Sequence, residues 1–152
     1  MPSGIGHRNL EEENNMADVR AICAIGQSGQ LGLHGHLPWE GYTDRPFVED
    51  VERFFDITRG HVLIAGPTTI GAVPDFARSD RTLVVIRSHE DPREVLARFA
   101  ERVVYIGGGP RVWDVYARHI RHWDINRMPY DGEADRWFDP AWLIAGGAAP
   151  RG

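Results

Sequence analysis

The chain has 152 residues, the size of one ordinary domain, with 42% hydrophobic and 26% charged residues, which argues against a second independent core and against a disordered chain. Seventeen Lys and Arg against 22 Asp and Glu leave a net charge of −5, with no basic stretch, which disfavours a nucleic-acid binder led by phosphate contacts. No apolar run reaches the roughly 20 residues of a membrane helix. The opening "MPSGIGHRNLEEENN" lacks the apolar stretch of a secretory signal, and the lone Cys23 excludes an internal disulfide framework, so a soluble cytoplasmic protein is expected.

Residues 1–17 read as a disordered N-terminal extension, 18–145 as a single domain, and 146–152 as a flexible tail. Short runs rich in Val, Ile and aromatics, bounded by Gly, Pro or Asp, predict strands over 19–25, 61–65, 82–86, 102–106 and 122–127. "HVLIA" and "TLVVI" are nearly continuous in apolar residues, as strands buried on both faces should be. Helices are expected between them, over 46–59, 92–100 and 111–120. Asp91-Pro92 with Glu94 offers a cap, a first-turn proline and a capping-box acid, and Gly60 stands where a helix end tolerates a left-handed backbone. The alternation predicts an α/β fold, a mainly parallel sheet with helices on both faces.

Four segments carry candidate chemistry. On the first helix, Phe47, Val51, Phe54 and Phe55 mark an apolar face, and Asp50 stands at its shoulder, where a carboxylate needs either solvent or a donor. Its neighbour Glu49 points away from that face and reads as surface. "VVYIGGGPRVW" runs from a strand through Gly107, Gly108 and Gly109 into a helix, a junction that lets backbone approach an anion, or simply a turn; its spacing is not the dinucleotide fingerprint. "LIAGPTTIG" repeats the strand–glycine–helix junction at Gly66, where the Thr68 and Thr69 hydroxyls either cap the helix or reach a phosphate. Two such junctions at the carboxyl ends of parallel strands raise a nucleotide site above either motif alone. Arg87, just past "TLVVI", is an exposed Arg or the partner of a ribose 2′-phosphate that selects NADPH. His34 and His36, with no further ligands close by, are rejected as a metal site.

Taken in order, these segments resemble dihydrofolate reductase. "AICAIGQSGQLGLHGHLPW" stands where that family has a first strand, a mobile loop and Leu-Pro-Trp. Asp50 and Phe54, "VLIAGPTT", "YIGGGPRVW" and "DGEADRWFDP" then follow in the family's order, so the resemblance covers most of the chain. It implies hydride transfer from NADPH to a 7,8-dihydropterin. It makes Asp50 the acid that holds the amino-pyrimidine edge and aids ring protonation, and Trp39 the residue that holds water near it. It places Ile22, Ala24, Phe54 and Asn126 on the substrate side. On the cofactor side it places Leu31 in the closing loop 31–37, Gly66, Thr68 and Thr69 in the first phosphate turn, and Ile106, Gly107, Gly108, Gly109, Arg111 and Val112 in the second. That second turn carries a cis Gly-Gly bond in the family, and three successive glycines leave its position open.

The departures from the family pattern carry information of their own. Pro67 replaces a phosphate-binding Arg, for which Arg87 is the candidate substitute, and Trp113 replaces a Tyr. About six extra residues separate Trp39 from Asp50. The Arg that pairs with folate's glutamate falls near Asp80, leaving only Arg78 or Arg81 to replace it, and the chain is shortened where the family forms a C-terminal hairpin. Losses confined to the folate tail and the sheet edge resemble dihydromethanopterin reductase, a relative whose substrate shares the pterin but lacks benzoylglutamate. The resemblance therefore implies reduction of dihydromethanopterin to the tetrahydro form in one-carbon metabolism. The alternatives are dihydrofolate reduction, a pyrimidine reductase of riboflavin synthesis (against which Asp50 counts), and a non-catalytic pterin- or nucleotide-binding module. No metal, nucleic acid or membrane is expected. An uncovered sheet edge beside Trp137, Phe138, Trp142, Leu143 and Ile144 predicts a homodimer or larger homo-oligomer, against folding of the same residues back onto their own sheet.

Overall fold

The computed structural model describes residues 17–146. The expected tails, 1–17 and 146–152, lie outside this range except for Ala17 and Gly146. Ala17 is itself buried, at 7% exposure, in the main core.

Five parallel strands form the central sheet: β1 (Asp18–Ile25), β3 (Val62–Ala65), β4 (Thr82–Val85), β5 (Val103–Ile106) and β6 (His122–Arg127), in the order β4-β3-β5-β1-β6. Helices cover both faces, as the strand–helix alternation requires: α1 (Arg45–Thr58) and α2 (Pro67–Gly71) on one, α3 (Pro92–Ala97), α4 (Pro110–Tyr116) and α5 (Trp142–Ala145) on the other. The two-residue period of the strands sorts their side chains between two cores. Val19, Ala21, Ile25, Val62, Ile64, Val104 and Ile106 face Leu96, Trp113, Tyr116 and Trp142, while Ile22, Leu63, Ala65 and Tyr105 face Phe54, Phe55 and Ile70. Among the described residues no helix is long and apolar enough to cross a membrane.

Several expectations need correction. β3 is buried throughout, as read, but β4 is only half-buried, because it is an edge strand whose apolar residues pack on one neighbour. Val51 is 50% exposed, so the buried face of α1 runs through Phe47, Phe54 and Thr58 instead. The second helix ends at Ala97 rather than at residue 100. The third, expected over 111–120, ends at Tyr116 and gives way to a 3-10 turn over Ala117–His119. Asp91 caps α3 by accepting from the Arg93 N–H (2.9 Å), whereas Glu94 makes no reciprocal bond, so the capping box is half formed.

A short antiparallel pair escaped the sequence reading: β2 (Gln30–Gly32) with β7 (Arg136–Trp137), three and two residues long. It ties the loop after β1 to the C-terminal segment. The C-terminal aromatics largely fold back. Trp142 is buried with Trp113, stacks parallel to Trp123 at 6.4 Å and donates its indole N–H to Asp114 (2.8 Å), and Phe138 packs edge-on against both Trp123 and Trp142. Trp137 and Ile144 alone of the five stay exposed, at 53% and 65%. That segment therefore covers its own sheet face, and the outer edge of β6 is what it leaves open.

Candidate active site

The site straddles the carboxyl ends of the strands, and its two sides are built differently. On one face α1 lies across β1 and β6. Pro46 stands in its first turn, and Gly60 ends the turn after it with a φ of 80°, its N–H bonded to the Asp80 carbonyl (2.7 Å). Asp50 and Arg53, one turn apart, then share the helix side that faces β6. There Asn126 and Asp124, two residues apart, share one strand face. The Asn126 amide donates to Asp50 Oδ1 at 2.7 Å, and one guanidinium nitrogen of Arg53 donates to both oxygens of Asp124 at 2.7 and 2.6 Å. Asp50 is thereby held half-buried in the wall of a cleft of about 290 Å³, with Pro46, Arg53, Met128 and Pro129 around it.

Of the residues expected beside Asp50, the structure brings Ile22, Ala24 and Phe54 to this face and pairs Ala24 with Asn126 across the β1–β6 ladder. Trp39 is 4% exposed, its ring 6.1 Å from Phe47 and 5.5 Å from Tyr130, and Ala24 packs against this cluster. Glu49 is exposed and paired with Arg45 (3.1 Å), as its surface reading requires. Burial pushes the pKa of the Cys23 thiol on β1 up to about 12, with smaller contributions from the Asp124 and Asp50 carboxylates. Arg53 and Asp124 were missed by the sequence reading. Their signal was available only as paired spacings, i and i+3 on a helix against i and i+2 on a strand.

The other side is backbone. β3 and β5 are neighbours, so the turns that follow them meet: Gly107 N–H donates to Ile64 O (2.8 Å) and Gly66 N–H to Gly108 O (3.1 Å). The cis bond is Gly108–Gly109, and Gly108 has a φ of 119°, open to glycine alone among common residues. A Cβ on Gly107 would come within 2.8 Å of Leu63 Cδ1, whereas one on Gly66 or Gly109 would meet nothing closer than 4.0 Å. The turns thus form an open cradle with its floor closed beneath. Ile106 and Val112 are buried below it and support it rather than line it, and Leu31 is likewise buried in the core at 8% exposure. Thr68 is exposed and Thr69 half-buried, and neither hydroxyl caps α2. Arg87 and Arg111 are exposed at the ends of β4 and of the glycine turn, and neither guanidinium has a hydrogen-bond or ion-pair partner among the described residues.

The two Arg candidates for a substrate carboxylate are otherwise engaged. The Arg81 side chain is fully buried, pairs with Asp80 and donates to the Phe55 carbonyl (2.8 Å) and the Thr58 hydroxyl. Arg78 donates to the Val73 and Ile70 carbonyls (3.0 and 2.7 Å) that close α2. The histidines rejected as metal ligands face acids instead, His36 with Glu40 at 3.2 Å and His34 with Asp135 at 3.7 Å.

No protein-family model matches the chain. It is 69% identical over 131 residues to the curated dihydromethanopterin reductase of Methylorubrum extorquens, covering 86% of this chain and 97% of that protein. Among solved structures it is similar to a dihydrofolate reductase from Enterococcus faecalis complexed with NADP(H) and RAB-propyl. The TM-score is 0.65 at 25% identity, over 83% of this chain and 78% of that one.

Proposed function

We propose that this chain, which belongs to the dihydromethanopterin reductase family, reduces dihydromethanopterin to the tetrahydro form in the cytoplasm with NADPH as reductant. The observation that carries the reading is the Asp50–Asn126 pair, a half-buried carboxylate in the wall of a cleft. Phe54, one turn further along the same helix, reaches the glycine turns, where a Cβ on Gly107 would stand 3.5 Å from its ring.

The residues present fit the cofactor. Gly66, Gly108 and Gly109 let backbone approach a pyrophosphate, Thr68 and Thr69 add hydroxyls not spent on capping, and Arg111 and Arg87 add unpaired charge, Arg87 for a ribose 2′-phosphate. When bound, NADPH supplies the hydride delivered to the pyrazine carbon of the pterin. Asp50 does the rest of the polar work. A carboxylate accepts about four hydrogen bonds, and Asn126 occupies one site, so enough acceptors remain for both the ring N–H and the exocyclic amine of the pterin. Negative charge at that edge raises the basicity of the ring nitrogen that takes up the proton, by way of water. Ile22, Ala24 and Phe54 give the apolar surface against which the pterin lies, and buried Trp39 backs that surface.

The substrate tail is read from what the site lacks. Beyond Phe54, Val51 and Phe76 are exposed at 50% and 66%, and Phe76 packs edge-on against Phe55 at 5.7 Å. That strip suits an aromatic tail segment, while Arg78 and Arg81, the two candidates for a glutamate carboxylate, are spent on internal acceptors. This favours methanopterin over folate. NADPH oxidation measured side by side with dihydromethanopterin and dihydrofolate tests the reading. Turnover with the former well above the latter is expected, and equal or reversed rates overturn the substrate assignment.

A further inference from the structure

Among the described residues, β6 is the last strand of the sheet and is bonded on one side only, to β1. Its register determines which backbone groups are left over. Met128 N–H donates to Ile25 O (2.7 Å), and a parallel ladder repeats every second residue, so Asp124 and Asn126 turn their N–H and C=O toward β1. Those of Trp123, Ile125 and Arg127 therefore point outward, and among the described residues none of them has a backbone partner. Monomeric proteins blunt such edges with proline, lysine, bulges or very short strands. β4, the opposite edge, is four residues long. β6 has six, with no proline and no bulge, and the charges it carries are of both signs, Asp124 and Arg127.

The sequence of β6 suits one partner in particular, itself. With Ile125 on a two-fold axis, "HWDINR" pairs antiparallel with a second copy so that Trp123 stands opposite Arg127 of the partner subunit, and Asp124 opposite Asn126 of the partner subunit. The first pair is an aromatic ring against a guanidinium and the second an acceptor against a donor, both favourable cross-strand neighbours. Asn126 gives one N–H to Asp50 and keeps another to give. Shifting the register so that Asp124 faces itself would oppose like charges. We propose that the protein is a homodimer joined through β6, the two five-stranded sheets forming one continuous ten-stranded sheet. Each site then includes a residue of the other copy, because the partner subunit's Asp124 sits against the Asn126 that holds Asp50. This goes beyond the proposed reaction and does not depend on its substrate.

Sedimentation equilibrium of the full chain, with residue-resolved amide exchange, tests it. The expected mass is twice the 17.1 kDa of one chain. The Trp123, Ile125 and Arg127 amides should be as protected as those of Asp124 and Asn126, and should lose that protection on dilution as the mass falls. Arg127→Glu, which sets an acid beside Trp123 and Asp124 of the partner subunit, should shift the equilibrium to the single chain with its circular dichroism unchanged. A single-chain mass at every concentration overturns the proposal. So does a doubled mass with the three outward amides exchanging freely, which would put the interface elsewhere, or protection of those amides that persists at the single-chain mass.

Discussion

On the glycine side of the cleft, the surface offered to a ligand is main chain. Gly66, Gly107, Gly108 and Gly109 are brought together by the β3–β5 ladder, with Ile106 and Val112 buried beneath them and Thr68, Thr69 and Arg111 adding side chains at the margin. On the α1 side it is side chains, Asp50 on Asn126 and Arg53 on Asp124, each pair more than 70 residues apart in sequence. The backbone side depends on which residues can adopt its turns. The side-chain side depends on the crossing of one helix over one strand. Damage to the first should therefore appear as lost cofactor affinity and stability, and damage to the second as lost turnover with the fold intact.

The sharpest test of that division is Asp50→Asn. Losing a charged hydrogen-bonding partner costs about 1.5–3 kcal/mol in pterin binding, roughly ten- to a hundredfold, with a further loss in protonation. The rate should collapse while NADPH affinity, measured by calorimetry, stays within about twofold. Parallel loss of both would mean that the two sides are not separable. Gly108→Ala tests the opposite side. A Cβ at φ 119° forces strain of about 1–3 kcal/mol, so a lower melting temperature and weaker NADPH binding are expected, while pterin affinity is retained.

Asn126→Ala should cost about 1 kcal/mol, the worth of one hydrogen bond. It removes the donor that orients Asp50 while leaving its charge, so kcat should fall several-fold with little change in melting temperature. Restoration by Asn126→Gln would indicate that only the donor matters. The smallest effect is expected of Arg87→Ala, about 1 kcal/mol at an exposed position. It should weaken NADPH and leave NADH unchanged, because only NADPH carries the 2′-phosphate. Equal weakening of both would give Arg87 a structural role instead.

The same division explains how much was legible beforehand. Local signals placed all five sheet strands to within a residue or so, the glycine turns, and the Asp91 and Gly60 helix boundaries, because each depends on residues adjacent in sequence. Asp50 was singled out by its helical position beside Phe47 and Phe54, and the resemblance named Asn126 for the substrate side, but the hydrogen bond between them was not legible, since nothing in "HWDINR" alone says which strand face meets α1. Val51 was misplaced for a related reason. Periodicity gives an apolar face but not its width, and α1 turns Val51 outward, to 50% exposure.

What the amino-acid sequence determined by itself was the α/β order of elements, the two glycine junctions and the presence of an acid on the first helix, all consequences of backbone preference and short-range periodicity. Tertiary structure decided the rest. Burial of Arg81 turned a candidate substrate cation into a structural one. The fold-back of Trp142 and Phe138 closed the face that had looked adhesive and left β6 as the open edge. Those outcomes depend on which surfaces meet across the sheet, and desolvation acts only once they have met.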